Sequence, residues 1–90
     1  MYKVLIVDDH ESMSDSLSQA LSKTGSFEVV GTLKNALYAE LYCGKLKPDL
    51  ILMDVCTEGG ASGLEATKTI KENYPDIKII VISGFDEITY

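Results

Sequence analysis

Ninety residues suffice for one domain with a modest core, and 46% apolar with 24% charged residues argues against a disordered chain. The net charge is −6, and all eight cationic side chains are Lys, so direct contact with a nucleic-acid backbone by this segment is excluded as a leading reading. No apolar run is long enough to span a bilayer, so no membrane role is expected.

The start, Met1-Tyr2-Lys3-Val4, runs straight into an apolar stretch and lacks a signal-peptide layout, so the expected location is the cytoplasm. Residues 3–7 read as a strand ending in Asp8-Asp9. A helix from about 12 to 23 carries Met13, Leu17, Ala20 and Leu21 on one stripe. Gly25 stands where a left-handed stop is wanted. Residues 27–31 read as a second strand. A second helix covers roughly 35–46, with Asn35 as N-cap. Its inward face is either Leu37 with Leu41, or Ala39 with Cys43 and Leu46.

Lys47-Pro48-Asp49 breaks the chain before a third strand at 50–53, which Asp54 closes. Residues 57–63 contain Gly59, Gly60 and Gly63 and read as a flexible loop. A third helix from about 63 to 74 puts Leu64, Thr67, Ile70 and Tyr74 roughly on one side, and Pro75 ends it. The fourth strand is Lys78–Ser83. Residues 84–90 leave room for the start of a fourth helix. This β-α-β-α-β-α-β order implies a parallel sheet with right-handed crossovers and helices on both faces. Cys43 and Cys56 form no C-x-x-C pair and have no His at zinc-ligand spacing, so two reduced thiols are expected.

Strands buried on both faces read as continuous apolar runs, as Val4–Val7 and 50–53 do. In an open α/β sheet the ligand site lies outside the carboxyl ends of the strands. If the two strands are neighbours, Asp8, Asp9 and Asp54 meet there. One such Asp is ordinarily a turn or capping residue; three at one point repel one another unless a cation joins them. Oxygen donors suit Mg²⁺. In this reading Asp9 and Asp54 are direct ligands, Asp8 acts through water, and Asp54 is a nucleophile on phosphorus. Ser83 closes the fourth strand, where its hydroxyl meets a phosphoryl oxygen. The Gly59–Gly63 stretch lacks the Lys-Ser/Thr of a P-loop and the G-x-G-x-x-G of a dinucleotide site, and is read as surface loop. His10 is read as a helix-entry residue, and Lys45 and Lys47 as a solvated face.

These residues make the chain resemble a response-regulator receiver domain of a two-component system. Val-Asp-Asp-His at 7–10, Pro-Asp-Leu-Ile-Leu-Met-Asp at 48–54, Gly-Leu-Glu-Ala-Thr at 63–67 and Ile-Ile-Val-Ile-Ser-Gly at 79–84 carry the likeness. The wording is most similar to the NarL/LuxR-type regulators, which usually carry a C-terminal helix-turn-helix that binds DNA. The resemblance implies a flavodoxin-like (CheY-like) doubly wound sheet in the order 2-1-3-4, lacking the fifth strand and last helix. Residues 1–90 would be a receiver domain incomplete at its C-terminal end. It implies that Asp54 accepts a phosphoryl group from a sensor histidine kinase, and that Asp8 and Asp9 form the acidic pair for Mg²⁺. Cys56 would lend its backbone carbonyl to the ion, Ser83 would be the switch hydroxyl, and Phe85 would border the acyl phosphate.

Three departures stand out. The Lys at the end of a fifth strand has no counterpart, Thr57-Glu58 replaces the usual Met-Pro, and the loop up to Gly63 is longer than usual by one residue. Without a fifth strand, Lys78–Ser83 would be an apolar edge open to pairing, so self-association through it is expected. The alternative reading is a receiver scaffold used for dimerisation or partner contacts without phosphorylation. An aspartyl-phosphate hydrolase would want a second Asp two residues after Asp54, where Cys56 stands.

Overall fold

The apolar runs form strands and the amphipathic segments between them form helices. The computed structural model describes residues 1–8, 11–54, 60–83 and 86–89. The elements are β1 (Tyr2–Val7), α1 (Glu11–Lys23), β2 (Phe27–Leu33), a 3₁₀ turn (Ala36–Tyr38) and α2 (Ala39–Leu46). There follow β3 (Leu50–Asp54), α3 (Gly60–Asn73), β4 (Lys78–Ser83) and β5 (Asp86–Thr89). The sheet order is β2-β1-β3-β4-β5. The first four strands are mutually parallel, as the alternation demands.

The two faces of the sheet are covered unequally. Side chains alternate along a strand, and α2 and α3 seal one face. There Leu5, Val7, Ile51, Met53, Ile79 and Val81 pack with Ala36, Ala39, Cys43 and Ile70 in one buried cluster. The other face carries α1, which lies against β2. Val4 and Ile6 on β1 are buried, but Leu50, Leu52 and Ile80 on β3 and β4 are only half-buried.

Register is set at the amino end of the strands by Asp49. Its carboxylate accepts from the Lys3 N–H at 2.8 Å. Its own N–H donates to the Lys3 carbonyl at 2.8 Å, and its carbonyl accepts from the Lys78 N–H at 3.1 Å. One residue thus ties β1, β3 and β4 together. Lys71 aims β4 from the end of α3: its Nζ donates to the carbonyls of Pro75 and Ile77, at 3.1 and 2.9 Å.

Several expectations change. Strand β2 continues to Leu33 rather than stopping at Gly31, because β1 goes on pairing with it through Val7↔Leu33 after a register shift between Val4 and Leu5. Gly31 marks a close approach: a Cβ there would meet Leu46 Cδ1 at 3.1 Å and Leu5 Cδ1 at 3.3 Å. Helix α1 presents Ser14, Leu17, Ser18 and Leu21 inward, while Met13 and Ala20 stay exposed. The small Ser14 lets the helix lie close to the sheet, and that rotation turns Met13 out. In α2 the Ala39, Cys43 and Leu46 stripe faces the core, and Leu41 is exposed. Helix α3 begins at Gly60, inside the expected loop. Glycine costs about 1 kcal/mol per helical residue, which docking of the helix outweighs. Its inward face holds Gly63, Thr67 and Ile70, and Leu64 lies outside it. Thr67 Oγ1 donates back to the Gly63 carbonyl at 2.8 Å.

The largest correction concerns the end of the chain. Residues 86–89 are a strand, not the start of a helix, and β5 pairs antiparallel with β4 through Ile80↔Thr89, Val81↔Ile88, Ile82↔Glu87 and Ser83↔Asp86. Within Ile80–Ser83 the side of the fourth strand expected to be open is therefore occupied by β5. An apolar, β-branched strand needs its ladder satisfied on both sides, and the chain supplies the partner from its own next residues.

Lys47 ends α2 in the left-handed region, at φ 49° and ψ 57°, with its N–H donating to the Cys43 carbonyl at 3.1 Å. A Cβ is strained there and glycine is not. Lys47→Gly is expected to stabilise the chain by about 0.5 kcal/mol, raising Tm by roughly 2–4 °C in a thermal melt.

Candidate functional site

The Asp49 clamp decides what meets at the other end of the strands. Leu50 pairs with Val4, and the register runs unbroken to Met53↔Val7. One step further stand Asp54 and Asp8. Neighbouring strands lie about 4.8 Å apart, so the two backbones deliver their carboxylates to one sheet edge. On the other side of β3, Asp54 itself pairs with Ile82, and Ser83 is one step beyond. Asp8, Asp54 and the backbone of Ser83 thus stand at the carboxyl ends of β1, β3 and β4, while the expected convergence of Asp8, Asp9 and Asp54 includes a residue, Asp9, outside those described.

Asp8 is 6% exposed, and its N–H donates to the Leu33 carbonyl at 2.8 Å, which fixes the turn out of β1. Asp54 is half-buried. Neither residue is without a partner. Asp8 also lines a small cleft of about 150 Å³ with Ser14, Asp15, Thr32, Leu33 and Lys34. The larger groove beside Leu64, Thr67, Lys68 and Lys71 runs along α3 and contains none of these carboxylates.

Asp9, Cys56 and Phe85 lie outside the described residues, as does the side chain of Ser83. Among the described residues no three His, Cys, Asp or Glu side chains gather as a metal-binding group. The two carboxylates that are described offer hard oxygen donors on adjacent strands, a donor set that suits Mg²⁺ and not a soft metal.

Cys43 takes no part. It is a free thiol buried between α2 and the sheet. Burial, and then the nearby Glu40 carboxylate, push it up to about 11. A thiol held protonated in this way is neither a nucleophile nor a metal ligand. The role that the sequence did not disclose is that of Asp49, whose side chain sets the register that aligns Asp8 with Asp54. The Pro-Asp pair announced a chain break and gave no sign of the clamp.

Comparison with known proteins bears on this arrangement. A family model described as the response regulator receiver domain matches residues 4–90. The response regulator protein VraR of Staphylococcus aureus strain Mu3 is 44% identical over 85 residues, 94% of this chain and 40% of that protein. The chain thus spans about two fifths of the length of such curated relatives. The response regulator domain of Thermotoga maritima CheB shares the fold at a TM-score of 0.74 and 35% identity, over 83% of this chain and 55% of that one. A LuxR-family DNA-binding response regulator from Staphylococcus aureus reaches a TM-score of 0.82 over 96% of this chain and 71% of that one. At 23% identity, that last likeness speaks to fold alone. Matched along nearly its whole length, the chain belongs to the response regulator receiver domain family.

Proposed function

We propose that this chain is the phospho-acceptor part of a two-component response regulator, with Asp54 as the residue that takes the phosphoryl group. The observation that carries the reading is the register that sets Asp8 beside Asp54 at the carboxyl edge of the sheet, in a chain of the receiver family. Asp54 and Asp9 would hold Mg²⁺ directly, Asp8 through water, and Cys56 through its backbone carbonyl. When bound, the ion would neutralise the phosphoryl oxygens and the carboxylates together.

The donor is the phosphohistidine of a sensor histidine kinase. The Asp54 carboxylate attacks phosphorus in line; a P–O bond forms, the P–N bond breaks, and the imidazole nitrogen leaves with the electron pair and is protonated. Ser83 donates its hydroxyl to an equatorial oxygen, and that hydrogen bond shifts the balance between two conformations. The kinship with VraR, of which this chain spans two fifths, and the NarL/LuxR-type wording of the sequence support an output through a C-terminal helix-turn-helix that binds DNA and regulates transcription. No helix among the described residues is long and apolar enough to cross a membrane. The partnership with a sensor kinase proposed above is what assigns the chain to the cytoplasm.

A second reading has its own support. Thr57-Glu58 departs from the family's wording, and β5 occupies the flank of β4 in antiparallel sense. A receiver scaffold used for contacts alone would tolerate both. The discriminating experiment is incubation with Mg²⁺ and a small acyl-phosphate donor, read by intact mass. One phosphoryl adduct that fails to form in the presence of a chelator is expected; no adduct at saturating donor favours the contact module.

A further inference from the structure

We propose that Lys34 is the resident counter-charge of the Asp8–Asp54 site, against which a divalent cation must bind. The registers set one cross-sheet row. Val7 pairs with Leu33 on β2 and with Met53 on β3, so the next step holds Lys34, Asp8 and Asp54 side by side. The Asp8 N–H, donating to the Leu33 carbonyl at 2.8 Å, carries that pairing past the end of β2. Leu33, Val7 and Met53 pack into the cluster under α2 and α3. Alternation therefore turns the three residues of the row towards the face that carries α1. The cleft beside α1 agrees: Lys34 and Asp8 line it together with Ser14 and Asp15. Strand spacing puts the Lys34 backbone about 5 Å from that of Asp8 and about 10 Å from that of Asp54.

No other Lys shares this end of the sheet. Lys3 and Lys78 stand at the amino ends of β1 and β4. Lys23, Lys45 and Lys71 lie in the last turns of their helices, Lys47 caps α2, and Lys68 is in the body of α3. Two carboxylates on adjoining strands repel each other. A cation one strand away offsets part of that repulsion while no metal is bound. The same charge opposes a divalent ion that settles between Asp8 and Asp54. Across roughly 8 Å of solvated edge the opposition is a few-fold in affinity, and physiological salt, with a Debye length of about 8 Å, weakens it further. The Lys stem is flexible, so the ammonium yields to the ion and does not block it. Lys34 thereby steadies the empty site and lowers its cation affinity. The ion as the ligand rests on the function proposed above; the coupling of Lys34 to the carboxylates does not.

The test is calorimetric titration of Mn²⁺, as a stand-in for Mg²⁺, into the 90-residue chain at low salt. Lys34→Gln is expected to tighten binding by about three- to sixfold, and the gain should shrink at about 0.5 M salt. Lys34→Arg should keep the parental affinity, since it keeps the charge. Lys23→Gln makes the same change of charge at the far end of α1 and should move the affinity by less than about twofold. Unchanged or weaker binding by Lys34→Gln overturns the proposal, and is the result expected if the ammonium serves Asp15 across the cleft instead. An equal gain in Lys23→Gln also overturns it, because the effect would then belong to the net charge of the chain. Thermal melts in a chelator read the same coupling without metal. There Lys34→Gln should lower Tm by about 1–3 °C in the parent and by less in an Asp54→Asn background. If neither the parent nor Lys34→Gln binds Mn²⁺, the phospho-acceptor reading loses its cation and the melts decide the counter-charge. Equal Tm losses in the two backgrounds would then overturn it.

Discussion

Asp54→Asn is expected to take up no phosphoryl group under conditions that give one adduct on the parent chain. The substitution keeps the size and shape of the side chain but removes the negative charge that attacks phosphorus and draws in the cation. The loss should be complete within the sensitivity of intact-mass analysis, since an amide does not replace a carboxylate as nucleophile. The fold should survive. Asp54 is half-buried at a strand end, and the register is set at the other end by Asp49. Tm should therefore move by only a few degrees. Asp49→Ala tests the reverse: it touches no reacting atom, yet it should weaken the alignment of β1 with β3 and reduce uptake without abolishing it. Residual phosphorylation of Asp54→Asn at the parental level would transfer the acceptor role to another residue.

The second large effect lies in the core. Ile51→Ala is expected to destabilise the chain by about 2–5 kcal/mol, the range for deleting a buried aliphatic side chain. Whole domains are stable by only about 5–15 kcal/mol. For a domain of this size each kcal/mol shifts Tm by roughly 4–8 °C, so a fall of at least about 8 °C should appear in a thermal melt. Leu52→Ala is the control. It is the next residue on the same strand, but it points to the face that α1 leaves partly uncovered, and it is half-buried. Its cost should be nearer 1 kcal/mol, because a side chain still touching water loses less on truncation. Equal losses at the two positions would mean that the sheet faces are covered alike, contrary to the burial of Ile51, Met53, Ile79 and Val81 against Leu50, Leu52 and Ile80.

What could be read from the chain follows from which strands have a neighbour on each side. β1, β3 and β4 lie inside the sheet, so their apolar runs are continuous and their ends were legible; β4 matched residue for residue. The Asp residues at those ends were legible for the same reason, because strand ends in a parallel sheet fall on one edge. Helix rotation was not. Met13 and Leu64 look like core by hydrophobicity, yet Ser14 and Gly63 take the inward positions because small residues let a helix approach the sheet. The 3₁₀ turn at Ala36–Tyr38 before α2 was also missed, since Asn35 offered a plausible helix start.

The β4–β5 hairpin did leave a trace. Ser83 and Asp86 pair with two residues between them, and the sequence there includes a Gly, a common turn signal. Expectation of another helix in the alternating pattern outweighed that local signal. Asp49 left no trace at all: a residue after Pro reads as a turn, and its bond to the Lys3 amide spans residues that only the folded sheet brings together.

The convergence of acidic residues on adjoining strands is tested most directly by paramagnetic Mn²⁺, a stand-in for Mg²⁺, titrated into the isotopically labelled chain. Its broadening of amide signals reports nearness to the bound ion. The signals of Asp8, Asp9 and Asp54 should vanish first and together, and recover when Mg²⁺ is added in excess. Broadening that spares Asp54 while affecting Asp8 and Asp9, or that spreads evenly over the acidic surface, would contradict a single shared site.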